Sequence, residues 1–93
     1  MTATTLRHEG RRARIERGAA RLDEKVPHWR KRIIRPLNMG SSRFDILGQV
    51  YGAFHLGVHA LGLHREEEVT HGFRSNGTER YKALTAEWVA FLG

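Results

Sequence analysis

Residues 47–63 read LGQVYGAFHLGVHALGL, and the placement of this stretch decides the fold. Phe44, Ile46, Leu47, Val50, Tyr51, Phe54, Val58 and Leu61 recur with helical period and give a broad apolar face. Ser42-Arg43-Phe44-Asp45 resembles a capping box, in which the serine oxygen accepts from the Asp45 amide. Gly62 stands where a helix commonly stops, at C′. The spacing therefore predicts one central helix from Arg43 to about Leu61. Gly48, Gly52 and Gly57 interrupt it before the stop at Gly62. An interior glycine costs a helix roughly 1 kcal/mol relative to alanine. On one continuous helix, Gly48, Gly52, His55 and His59 share a side. Bare backbone over a full turn serves either a close crossing within the chain or a groove for a partner or second copy. Gly57 falls off that stripe and has no reading of its own.

Upstream, residues 1–5 read as disordered, and the pattern is helical from Leu6 to about Lys25. Ile15, Ala19, Leu22 and Val26 form a thin apolar stripe. Arg7, Arg11, Arg14, Arg21 and Lys25 form a basic stripe beside it. In VPHWRKRIIRPLN, Pro27 suits the first position of a short helix. Trp29, Ile33 and Ile34 are expected to make apolar contacts, leaving Arg30, Lys31, Arg32 and Arg35 in water. Pro36 ends that segment, and Asn38-Met39-Gly40 is a loop.

Downstream, His64 to Phe73 reads as a short helix or turn with Glu66, Glu67 and Glu68 exposed. Residues 75–77, SNG, are a loop. Thr78 can cap a last helix ending near Leu92, with Tyr81, Leu84, Trp88, Phe91 and Leu92 on its core side. No strand-like alternation persists, and there are no internal repeats or sustained heptads. The fold class is all-α: a small bundle of about three main helices plus one or two short ones, with a basic N-terminal helix or arm. Residues 1–16 are expected to be that arm, and residues 17–93 a single helical domain.

Ninety-three residues suffice for one small domain. The 16 Lys/Arg and 10 Asp/Glu are unevenly spread. Residues 1–35 carry eleven basic side chains against four acidic ones, and residues 36–93 five against six. Such an arm suits nucleic acid, an acidic protein surface or anionic lipid, or is simply a solvated face. With no cysteine, thiolate metal sites and disulfides are excluded. The N-terminus has no apolar core of a secretory signal. Asp45, Gln49, His55 and His59 break the one segment approaching membrane-span length, so no membrane role is expected.

No nucleophile–base arrangement, phosphate-binding glycine loop or pair of separated catalytic carboxylates is visible, so an enzyme is not expected, nor is a cofactor. His55 and His59 have the i, i+4 spacing of two metal ligands. In HLGVH, however, leucine stands where the HExxH motif carries its general base. They are remote metal candidates only, with His64, His71 or Glu66–Glu68 available to complete a set. For nucleic acid, Arg7, Arg11, Arg14, Arg21, Lys25, Arg30, Lys31, Arg32 and Arg35 could neutralise phosphates. His28 and Trp29, interleaved with them, could stack on bases, although Trp29 equally reads as core. No helix-turn-helix or zinc-finger pattern accompanies them.

Four segments, RGAARLDEKVPHW (17–29), ILGQVYGAFHLGVHALGL (46–63), HGF (71–73) and YKALTAEWVAFL (81–92), together resemble a family of small uncharacterised helical proteins of actinobacteria and their phages. The resemblance implies a helical protein acting in the bacterial cytoplasm or in a virion. Relatives often carry cysteines just before the LGQ segment, where this chain has Ser41-Ser42-Arg43-Phe44-Asp45, so a thiol role does not carry over. The basic 1–16 extension and the His55/His59 pair are not features of the family. The expected function is a non-enzymatic interaction module that binds a host protein, a virion neighbour or itself. The protein interface is expected around Gly48, Gly52, His55 and His59. Nucleic-acid binding through residues 7–35 is the alternative, and a histidine metal site a remote one.

Overall fold

In a computed structural model describing residues 6–93, the chain forms five α-helices and a 3-10 turn, with no strand among those residues. The helices are α1 (Arg11–Lys25), α2 (Ile46–Tyr51), α3 (Phe54–Leu61), α4 (Arg65–Thr70) and α5 (Tyr81–Leu92), and the 3-10 turn spans Trp29–Arg32. The fold is thus the all-α bundle expected from the helical periodicities. The reading of residues 1–5 lies outside the described residues.

Leu6 and Arg7 are helical as expected, but residues 8–10 break the segment, and α1, which begins after Gly10, buries Arg14, Ile15, Gly18, Ala19 and Leu22. That set follows the helical repeat and so faces one neighbour. Gly18 is needed where α1 crosses the end of α4: a Cβ there would lie 2.0 Å from the His71 carbonyl oxygen. The boundary expected after residue 16 falls inside α1, between residues of one buried face. Pro27 does not open a helix. His28, in the left-handed region at φ 72°, starts the 3-10 turn instead.

The expected central helix is two helices. Gly52 adopts φ +99°, the left-handed conformation glycine reaches without strain, and ends α2. Asp45, not Ser42, is the N-cap, and its side chain accepts from the Gly48 amide. The chain then turns through Ala53 and α3 folds back across α2. Gly57 makes that crossing close, since a Cβ there would lie 2.7 Å from Leu47 Cβ and 2.9 Å from Tyr51 Cδ2. α3 has no side-chain cap, but its Phe54 amide donates to the Ser42 carbonyl at 2.8 Å. The same carbonyl oxygen would sit 2.4 Å from a Cβ on Gly48. The close approach at Gly48 is therefore made by this chain's own loop.

α4 opens with His64, whose amide donates to Glu67 Oε1 at 2.9 Å, and carries its glutamates in the first turn. That placement complements the helix dipole. Glu68 is buried rather than exposed, paired with Arg74 at 2.7 Å. α5 starts from Arg80 without a side-chain cap, so Thr78 does not serve as one. Trp88 is the centre of the core: it stacks on Phe73, meets Trp29 and Phe91 edge-on, and donates its indole N–H to the Gly72 carbonyl at 2.7 Å. The expected core residue Tyr81 lies at the surface, as does Ile34.

Candidate functional site

The arginine stripe of α1 is engaged by the rest of the chain. Arg7 pairs with Glu66 at 2.9 Å and also donates to the Asn76 carbonyl. Arg12 pairs with Glu87 at 2.8 Å, and Arg17 with Glu9 at 2.8 Å. Arg14 is buried and meets the equally buried side chain of Glu79, which Arg11 approaches to 3.7 Å. Arg21 donates to the Leu61 carbonyl at 2.7 Å. Of the cations read as phosphate ligands, Arg7, Arg11, Arg14 and Arg21 therefore face protein groups. Arg30 lies over the rings of Trp29 and Phe91, and Arg32 donates to the Val50 carbonyl at 3.1 Å. Trp29 is 1% exposed and its indole N–H donates to Asp23, so its ring is not open to a base.

Lys25, Lys31 and Arg35 are exposed, with no ion-pair partner among the described residues. Outside the expected set, Arg43, Arg65, Arg80 and Lys82 share that condition, and of all these cations Arg35, Arg43 and Lys82 line the grooves beside the connector, residues 33–45. From Lys25 to Phe44 the chain has six cationic side chains and no acidic one.

The connector has no regular structure, but it is held. Gln49 of α2 binds it at four points. Its Oε1 accepts from the Ile34 and Arg35 amides at 3.0 and 2.9 Å, and its Nε2 donates to the Arg35 and Phe44 carbonyls at 3.1 and 3.0 Å. Met39 is buried, and its amide donates to Thr85 Oγ1 of α5 at 2.9 Å. Asp45 closes the segment from below; burial pushes its carboxyl up to about 7, against the opposing hydrogen bond from Gly48.

A groove of about 720 Å³ lies between the connector and α5, lined by Arg35, Pro36, Leu37, Phe44, Lys82 and Thr85 among others. On the other side of Arg35 and Phe44 lies a second groove of about 230 Å³. It is bordered by Arg32, Ile34 and Arg43 and floored by Gly48, Gln49 and Gly52. Leu56 of α3 stands beside Gly52. Ile34 is 80% exposed, Leu56 50% and Phe44 41%. Ile34 and Phe44 are thus exposed in a groove that Arg32, Arg35 and Arg43 also line.

The break between α2 and α3 separates the expected interface residues. Gly48 is buried beneath the connector and Gly52 lies on the floor of the smaller groove. His55 and His59 are exposed and line a different groove with His64 and Glu68. Among the described residues no group of three His, Asp or Glu side chains is placed to hold a metal ion. No described helix is long and apolar enough to cross a membrane. No protein-family model, curated protein or solved structure matches this chain.

Arg43, Phe44, Gln49, Leu56 and Lys82 belong to this surface but did not stand out as site residues in the sequence. The acid-free run from Lys25 to Phe44 was a readable signal for part of it. Gln49 carries none, because its role depends on a connector folded back over α2.

Proposed function

We propose that the protein is a non-enzymatic interaction module that docks a partner protein on the connector surface. The observation that carries this reading is the exposure of Ile34 and Phe44 in grooves that Arg32, Arg35, Arg43 and Lys82 also line, with exposed Leu56 beside Gly52. Apolar side chains held together at a surface mark contact sites more often than scattered ones do. Gln49 holds the connector in one conformation before contact, which lowers the ordering cost of association. If the chain belongs with the actinobacterial and phage proteins it resembles, the partner is a host protein or a virion neighbour.

The test compares wild type with Phe44→Asp and Leu56→Asp. Proteins retained by the wild type from a cell extract are identified by mass spectrometry, and one is purified and titrated against all three chains. Each variant is expected to weaken binding about tenfold or more, as for an anchor side chain at a contact centre, with unchanged circular dichroism. Equal affinity of all three chains would exclude this surface.

Nucleic acid held by the same cations is a second reading, favoured by the acid-free run from Lys25 to Phe44. It requires affinity for DNA or RNA that falls steeply with salt.

A further inference from the structure

We infer that the segment docking on the connector is acidic as well as apolar, its carboxylates meeting Arg35, Arg43 and Lys82 while apolar side chains enter beside Phe44. The inference rests on the docking reading above. Its first support is charge. Glu9, Glu66, Glu68, Glu79 and Glu87 are each paired with an arginine, and Asp45 is buried. Glu16, Asp23, Glu24 and Glu67 have no arginine partner, but none of them lines either groove, whereas Arg35, Arg43 and Lys82 do and have no carboxylate beside them. Charges of one sign lining a groove raise the local concentration of the opposite sign and set orientation more than they add affinity.

The second support is the mixture of side chains. Arg35 and Lys82 stand over a groove floored by Pro36, Leu37 and Phe44. A sugar–phosphate backbone would satisfy the cations and leave these apolar groups without partners. Trp29, the ring interleaved with the cations, is buried, which leaves the partly exposed Phe44 as the one ring of these two grooves on which a base could stack. A second copy docking through the same patch about a two-fold axis would set cations against cations. A protein segment alternating carboxylates with apolar side chains meets both halves of the surface.

The experiment uses the full chain and fluorescence anisotropy of labelled probes. These are a short peptide alternating Glu and Leu, the same peptide with Gly for Leu, one with Lys for Glu, and single-stranded and duplex DNA. The Glu/Leu peptide is expected to bind tightest and to lose affinity with added salt. The double variant Arg35→Glu/Lys82→Glu should weaken it about tenfold or more. The same variant should gain affinity for the Lys/Leu peptide, a reversal that mere loss of structure cannot produce.

Tighter binding of DNA than of the Glu/Leu peptide would overturn the inference in favour of a nucleic-acid surface. Failure of the charge reversal would overturn it too. If the double variant keeps full affinity for the partner isolated above while Phe44→Asp and Leu56→Asp lose it, the acidic chemistry fails and the docking surface stands. If none of the three matters, both fail.

Discussion

Asp45 caps α2 from a buried position, and its carboxylate is desolvated there. Its proton affinity is raised on folding, from 3.8 to about 7. Between those values the folded chain holds a proton that the unfolded chain has released. Asp45 therefore favours folding below pH ~4, and that contribution is lost as pH rises towards 7. Asn at this position keeps an acceptor for the Gly48 amide and removes the charge. In denaturant melts, Asp45→Asn should gain on the wild type as pH increases across this window. His71 is displaced the other way, its burial holding it below the usual histidine range. That contribution is common to both chains and cancels in the comparison.

The two glycines read most differently before and after folding also make predictions at this scale. Gly57→Ala drives a methyl against Leu47 and Tyr51 and should cost about 1–3 kcal/mol by overpacking. Gly52→Ala meets only the end of the Leu56 side chain, at 4.0 Å, but must hold φ +99°. Its cost should be about 1–2 kcal/mol and conformational in origin. Melting of both variants checks the pair.

Among elements, the tie between α1 and the loop before α5 is the most demanding contact. Glu79 receives the buried Arg14 and the Asn76 amide. Glu79→Ala leaves a buried guanidinium without its counter-charge and should cost about 3–5 kcal/mol. Glu87→Ala breaks only a partly exposed pair with Arg12 and should stay within about 1 kcal/mol. Equal losses would mean the buried pair has access to water. The α2–connector tie is read differently. Gln49→Leu should leave the core packed while hydrogen exchange accelerates at the Ile34 and Arg35 amides, which lose their acceptor. Binding at the connector should weaken with it.

At the scale of the whole molecule, the N-terminal third is a supporting wall of the fold rather than an appendage. Ile15 and Arg14 are buried, Arg7 reaches Glu66 and Arg12 reaches Glu87. A chain beginning at residue 17 should therefore lose most of its cooperative melting, followed by circular dichroism. A detachable arm would leave the transition intact.

Local patterns were enough to read helices, because a period of 3.6 residues and the apolar stripes of α1 and α5 are properties of neighbouring residues. They were also enough to place Trp88, Leu84 and Leu22 inside, to locate the stop at Gly62 and to show the uneven charge. They were not enough to break the central stretch. Ile46 to Leu61 is equally periodic whether straight or folded, and the choice falls to Gly52 entering the left-handed region while Gly57 admits Leu47 and Tyr51. Nor could they say which arginines remain available. Arg7, Arg14 and Arg12 find their carboxylates 59, 65 and 75 residues away. Helical period and net charge belonged to the sequence. Where the helix turns back, and which cations are left around Phe44, was decided only when distant segments met.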